Sequence, residues 1–320
     1  MKIAVIVNPK AGRRVVQKEL ETIIGRLLIQ GIASDIQVTA TAGDGDARRR
    51  AETLKREECD LIIGCGGDGT MNEIVHGLMK SGSKIPLAIL AAGTSNDFAV
   101  SQRLPQNAAA FCDMVQHGVY QPIDIGLANG YYFINVAAFG MFTEVAHKTD
   151  REAKGVLGRL AYYLTGAKMA PSQLFKIIPV SIRSEEYEMD GDIRLCLIGN
   201  SRTVATMPRL LRKAEIDDGK FDVFLLRKRN LMQTDTELLK YISSGEFTND
   251  PAVVYFQTKK IQIDSPIADQ VELDLDGEYR GKLPLTVEVC HHAITLLTPA
   301  EKPVFSSLLP WFNEGASQKK

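Results

Sequence analysis

The chain has 320 residues, 45% of them hydrophobic and 24% charged, which excludes a disordered, collagen-like or disulfide-stapled protein. Its 38 basic and 39 acidic residues leave a formal net charge of −1, so no broad positive field attracts nucleic acid or anionic lipid, and any membrane contact has to be local and mostly apolar. Cys59, Cys65, Cys112, Cys196 and Cys290 show no C-x-x-C spacing and read as reduced thiols in a cytoplasmic protein. No stretch approaches the roughly 20 apolar residues of a transmembrane helix, and Ile3–Val7 is too short for a secretory signal. A single core stops growing at roughly 250–300 residues, so the length favours two domains.

Ile3–Val7 is a continuous apolar run of the kind that forms a strand buried on both faces of a parallel sheet. Val16, Leu20, Ile23, Ile24, Leu27 and Leu28 recur at helical spacing until Gly31. A strand at Ile36–Thr41 follows, then a polar helix around Ala47, Ala51 and Leu54, and a strand at Leu61–Gly64. Met71, Ile74, Val75 and Leu78 predict the next helix, and Pro86–Leu90 the next strand. This alternation implies βαβ units with right-handed crossovers.

The alternation fades after Asp124. Asn129-Gly130 between Ile123–Leu127 and Tyr131–Ala137 predicts a hairpin. Further strands are expected at Ile177–Arg183, Ile193–Gly199, Phe221–Leu226, Lys260–Asp264, Val271–Leu275, Leu285–Cys290 and Ala293–Leu297, with one helix at Val156–Met169. The boundary falls near residue 125, with an α/β part over 1–125 and a largely antiparallel β part over 126–297.

Gly66-Gly67-Asp68-Gly69-Thr70-Met71-Asn72-Glu73 lies between a strand and a helix. Its glycines let backbone N–H groups approach an anion, and the helix points its positive end at it. An aspartate in such a loop repels a phosphate unless a divalent cation intervenes, so Asp68 points to Mg²⁺ with a nucleotide. The T-x-x-E spacing of Thr70 and Glu73 also reads as a capping box. Gly93-Thr94-Ser95-Asn96-Asp97-Phe98 repeats the design after the next strand, and the basic turn Asn8-Pro9-Lys10-Ala11-Gly12-Arg13-Arg14 follows the first. The formal G-x-G-x-x-G match at Gly64–Gly69 is weak, since it follows the third strand and lacks the ribose-binding acid downstream.

With these motifs the chain resembles the bacterial diacylglycerol kinase-like lipid kinases, relatives of the catalytic domains of diacylglycerol, ceramide and sphingosine kinases. The matching elements are Asn8-Pro9-x-x-Gly12, Gly66–Glu73, Gly93-Thr94-x-Asn96-Asp97-Phe98-Ala99, Asp124-x-Gly126, Phe133-x-Asn135 with Gly140, Asp217-Asp218-Gly219 and Asp276-Gly277-Glu278. The resemblance implies an N-terminal three-layer α/β domain and a C-terminal β-sandwich with the active site between them. It also implies that the chain end, about 298–320, packs back on the first domain.

Carried over position by position, Asn8, Pro9, Lys10, Ala11, Gly12, Arg13, Thr41, Gly67, Asp68, Gly69, Thr70, Met71, Asn72, Glu73 and Thr94 would contact ATP. Asp68 and Asp97 would hold the nucleotide Mg²⁺. Asp276 and Glu278 are both candidates for the catalytic base, with turn chemistry as the competing reading. Glu215, Asp218 and Lys220 would ligate a second, structural Mg²⁺ through one carboxylate and two carbonyls, unless Asp217-Asp218-Gly219 is only an exposed turn.

The function expected is ATP- and Mg²⁺-dependent phosphorylation of a lipid hydroxyl, such as that of diacylglycerol, with transient peripheral membrane contact; a homodimer is compatible. The alternatives are an NAD kinase-like enzyme with a soluble acceptor and a nucleotide-binding regulator without turnover. Phe139, Met141, Phe142 and the helix bearing Leu160 and Tyr163 are apolar candidates for an acceptor path. His291-His292 reads as strand, where neighbouring side chains face opposite ways, so the pair is not expected to share a metal.

Overall fold

A computed structural model describes residues 1–11, 14–93, 95–140, 177–204, 210–228 and 251–301, with the backbone alone for 14–17. The expected helix at 156–169, Met141, Phe142, Gly12, Arg13, Thr94 and residues 302–320 lie outside the described residues.

The first part of the chain forms β1 (Lys2–Val7), α1 (Arg14–Ile29), β2 (Asp35–Ala40), α2 (Asp46–Thr53), β3 (Leu61–Gly66), α3 (Asp68–Ser81), β4 (Leu87–Ala91), α4 (Asp97–Ser101) and α5 (Ala108–His117). The strands run parallel in the order β2-β1-β3-β4. Right-handed crossovers then put α1 on one face and α2 and α3 on the other. Accordingly α1 packs on α5 and α2 on α3. With both faces covered, β3 and β4 are buried at every residue, which is why they read as unbroken apolar runs.

The rest of the described chain is almost entirely strand: β5 (Val119–Ala128), β6 (Tyr131–Phe133), β7 (Val136–Gly140), β8 (Ile178–Ser184), β9 (Glu188–Gly199), β10 (Phe221–Arg227), β11 (Val253–Thr258), β12 (Lys260–Asp264), β13 (Glu272–Leu275), β14 (Glu278–Lys282) and β15 (Leu285–Thr298). Asn129 and Gly130, at φ 48° and 87°, make the two-residue turn expected between β5 and β6.

Two hydrophobic cores result. One gathers Ile3, Ile62, Leu87, Phe111 and their neighbours; the other gathers Phe139, Ile182, Phe221, Val223 and Leu273. Phe139 is therefore packing at the centre of the second core, not the wall of an acceptor path. The 14-residue β15 serves both: Leu285 and Val287 lie in the second core, while Ile294, Leu296 and Leu297 lie in the first. Burying each such side chain contributes about 1.5–3 kcal/mol. The two runs Leu285–Cys290 and Ala293–Leu297 are thus one strand, interrupted by a bulge between Cys290 and Ile294. It pairs antiparallel with β5 and reaches β4 through Leu296 opposite Leu87.

Candidate active site

The site is built at the carboxyl ends of β1, β3 and β4, where parallel α/β sheets hold their ligands. Helix α3 starts at Asp68, three residues before the capping box would start it, and Gly67 at its N-cap makes no side-chain capping bond. Thr70 and Glu73 are therefore already helical and cannot cap α3. Thr70 Oγ1 instead accepts from Asn8 Nδ2 at 3.2 Å. The Glu73 carboxylate accepts from the backbone N–H groups of Gly45, Ala47 and Arg48 at 2.8, 3.1 and 3.4 Å. It thus satisfies the exposed donors at the start of α2.

The two glycine loops lie backbone against backbone. Ala92 N donates to Gly66 O at 2.8 Å, and a Cβ on Gly93 would stand 2.6 Å from Gly67 Cα, so a side chain at Gly93 would force the loops apart. Asn96, at φ 53°, locks the second loop: its Oδ1 accepts from Gly93 N and its Nδ2 donates to Gly93 O, both at 2.8 Å. Asn96 N also donates to Asp68 Oδ2 at 2.9 Å, tying the loops together. Burial, with help from the carboxylates of Asp97 and Asp276, pushes Asp68 up to about 7. An acid so disfavoured as an anion, beside two others, suits a bound divalent cation.

The third component is the β13–β14 turn. Asp276 and Gly277, at φ 52° and 88°, form a two-residue hairpin loop. The Asp276 carboxylate is fully engaged. Oδ2 accepts from Asn72 Nδ2 and Ile134 N at 2.8 Å each, and Oδ1 accepts from Asn135 N and Val136 N at 2.9 Å each. Asn72, on α3, thereby fastens the first part of the chain to this turn. Burial raises the Asp276 acid against those four bonds, and the nearby Asp274 is driven up to about 7 by the same cause.

Glu278, two residues on, is free of that anchoring network. Its Oε1 would lie 3.3 Å from a Cβ on Gly69, so the carboxylate stands over the start of α3. Burial raises it, Arg280 opposes that shift through an ion pair, and Glu73, Asp276 and Asp44 add to it. The Arg280 guanidinium sits 5.5 Å from the centre of the Tyr131 ring. Tyr131 and Tyr279 are both exposed.

The remaining expected nucleotide contacts divide. Asn8 ends β1, with its Oδ1 accepting from Lys10 N at 3.0 Å and its carbonyl from Ala11 N at 3.0 Å; Pro9 and Lys10 are exposed. Thr41 N donates to Val7 O at 2.8 Å, placing Thr41 at the same sheet edge. Gly69 and Asp68 face Glu278 and Asn96, whereas the side chains of Met71 and Asn72 are buried.

Asp218 Oδ1 accepts from Lys220 N at 2.9 Å and its Oδ2 from Gln257 Nε2 at 3.3 Å, while the Glu215 side chain pairs with Arg202. Sequence reasoning passed over Arg280, whose role depends on a fold that sets it against Glu278. It also passed over Asn96 as a site residue, although its place in G-T-x-N-D was visible.

The His291–His292 expectation fails. The bulge in β15 puts His292 at φ 49°, which breaks strand alternation, and the two rings stack with centroids 3.7 Å apart.

Residues 2–128 match the model of the diacylglycerol kinase catalytic domain, and residues 135–298 match that of the YegS C-terminal NAD kinase β-sandwich-like domain. A nucleotide-type α/β layer joined to a β-sandwich, with acids gathered between them, is the build of that class of kinase. A diacylglycerol kinase of Bacillus subtilis (strain 168) is 34% identical over 299 residues, covering 93% of this chain and 96% of the relative. One of Staphylococcus aureus (strain JH9) is 33% identical over 280 residues, covering 88% and 87%. A crystal structure of a candidate diacylglycerol kinase from Bacillus anthracis str. Sterne superposes with a TM-score of 0.80 at 28% identity, covering 93% and 97%. The chain belongs to the diacylglycerol kinase family, and its class is lipid kinase. Among the described residues no helix is long and apolar enough to cross a membrane.

Proposed function

We propose that the chain transfers the γ-phosphate of ATP, with Mg²⁺, to a hydroxyl of a lipid such as diacylglycerol, and that Glu278 is the base. The observation that carries the base assignment is the contrast within one turn. Asp276 spends both oxygens on four donors, whereas Glu278 is released from that network and stands over Gly69. A base has to reach the hydroxyl proton it removes. Asp276 acts as a positioning residue.

Asn8–Arg13, Thr41, Gly67–Glu73 and Thr94 form the nucleotide side, with backbone N–H groups at the start of α3 directed to phosphate. Met71 and Asn72 serve through backbone and packing. Asp68 and Asp97 hold the nucleotide Mg²⁺, which when bound neutralises charge on the phosphates. Asp218, with the carbonyls of Glu215 and Lys220, holds the second Mg²⁺.

The part of the chain before residue 125 serves the nucleotide, and the sandwich brings the base to the acceptor. Tyr131 and Tyr279, exposed beside Glu278, suit a lipid interface, since an aromatic ring with a polar tip tolerates both phases. On this reading the enzyme works in the cytoplasm with transient contact at the membrane surface.

The test is incubation of the purified full chain with labelled ATP and Mg²⁺, with diacylglycerol and other lipid alcohols in mixed micelles, and separately with NAD. Label transferred to a lipid is the expected result. Transfer to NAD alone, or nucleotide binding without transfer, overturns the reading.

A further inference from the structure

Two faces of helix α3 meet two different parts of the site. At about 100° per residue, Gly69, Asn72 and His76 fall on one stripe, and Glu73 and Gly77 on the next. The first stripe lies against the base hairpin and β6. A Cβ on Gly69 would stand 3.3 Å from Glu278 Oε1, and Asn72 Nδ2 donates to Asp276 Oδ2 at 2.8 Å and to Tyr132 O at 3.2 Å. One turn on, the His76 ring meets the Tyr132 ring edge-on with centroids 5.1 Å apart. The second stripe lies against α2, so close that a Cβ on Gly77 would overlap Arg48 O.

Of the four donors to Asp276, Asn72 is the one that comes from the first part of the chain; the amides of Ile134, Asn135 and Val136 belong to the sandwich. Asn72 is 7% exposed, and both of its amide protons are engaged on that side. Glu73 works on the other. Gly45, at φ 80°, precedes α2 and has no side chain to cap it, so the Glu73 carboxylate, 28 residues away, takes up the donors instead. Asp46 closes the rest of this loop, its Oδ2 accepting from Ala42 N and Gly43 N at 2.8 and 2.9 Å. The loop that begins at Thr41 is therefore fastened to α3 through Glu73.

We propose that Asn72 and Glu73 are positioning residues whose side chains do not touch the nucleotide: Asn72 aligns the base hairpin on α3, and Glu73 aligns the loop 41–46. The Asn72 role rests on Glu278 being the base. With the open amides at its start turned to phosphate, one rigid helix sets the distance from phosphate to base on one face and from phosphate to the Thr41 loop on the other. A misplacement of about 1 Å at the reacting groups costs about 10²-fold in rate. Loosening a loop that only binds weakens affinity and leaves the chemical step unchanged. Neighbouring residues of one helix thus govern different kinetic constants, Asn72 kcat and Glu73 the KM for ATP.

The test uses the purified full chain, with initial rates at varied ATP over diacylglycerol in mixed micelles and ADP binding by calorimetry. Asn72→Ala should lower kcat about 10–100-fold, with the KM for ATP and the ADP affinity within about threefold of wild type. Glu73→Gln should raise the KM for ATP and weaken ADP about tenfold, with kcat within about threefold. Asn72→Asp keeps the shape and sets an acceptor opposite the Asp276 carboxylate. Its kcat relative to wild type should rise as pH falls, because a proton shared between the two acids restores the contact; a merely structural role gives no such slope. A wild-type crystal with a non-hydrolysable ATP analogue, which needs no variant, should keep both sets of contacts. Either side chain within hydrogen-bond distance of the analogue, or a change in the same constant by Asn72→Ala and Glu73→Gln, overturns the proposal. Intact turnover in Asn72→Ala while Glu278→Gln is inactive overturns the Asn72 role alone. Intact turnover in Glu278→Gln overturns the base assignment and, with it, the Asn72 role.

Discussion

Two hairpin turns in this molecule share nearly the same backbone and do different work. Asn129-Gly130 turns at φ 48° and 87°, Asp276-Gly277 at 52° and 88°. In the first, the Asn129 side chain donates to Pro284 O at 2.7 Å and accepts from Thr286 N at 2.9 Å, fixing one loop to another at the surface. In the second, the leading carboxylate meets three consecutive amides and Asn72 and so sets where Glu278 begins β14. Turn type is set by the two residues themselves. Function is set by the donors that the rest of the fold brings up to them.

The largest break in this comparison is Glu278→Gln, which should lower kcat by about 10²–10⁴-fold, the usual worth of a positioned base. Nucleotide binding, followed by calorimetry, should hold. A reciprocal exchange tests the turns themselves. Asp276→Asn presents an amide to backbone donors and should cost about 1–3 kcal/mol in denaturant unfolding while lowering kcat. Asn129→Asp keeps the turn and should stay within about 0.5–1.5 kcal/mol with activity intact. Equal effects of the two exchanges would show that the surrounding donors are irrelevant.

Smaller in size but sharper in sign is the pH response. Asp68 titrates at about 7 in the fold against 3.8 for the free side chain, so between those values the native state holds a proton that the unfolded chain has released. Its contribution therefore favours the metal-free fold at low pH and is lost as pH rises through that window. Asp68→Asn should flatten this part of the stability profile, leaving the part due to Asp274, while abolishing Mg²⁺-dependent turnover. Smallest of all is Arg280→Ala. Removing the guanidinium that opposes the upward shift of Glu278 should move the acid limb of the kcat–pH profile to higher pH, and Arg280→Lys should largely restore it.

Much of the first part was legible because strands covered on both faces leave an unmistakable apolar run, as at Leu61–Gly66. α5 was equally readable in hindsight: Asn107 caps it by accepting from Ala110 N at 2.9 Å, and Phe111, Cys112, Met114 and Val115 are buried. β14 was hidden, since Glu-Tyr-Arg-Gly-Lys carries no apolar alternation and is held by its hairpin partner. At the site, the glycine loops announced themselves. The exchange of cap between α3 and α2 through Glu73 did not, because it joins residues that only the folded sheet edge brings together. The His291–His292 geometry was invisible for a different reason: it depends on a bulge, and nothing local marks where a strand gains its extra residues.

The strand shared by both cores also sets the order of events during synthesis. β15 is the last described strand to leave the ribosome, yet it completes the parallel layer beside β4 and supplies Ile294, Leu296 and Leu297 to the first core. The nucleotide-side layer cannot close until the chain has emerged as far as β15. Pairing over so long a separation carries a high loop-closure cost and folds slowly. The nascent protein therefore passes through a period with an open β4 edge, and a substitution that weakens Leu296 would be expected to reduce yield before it reduces activity.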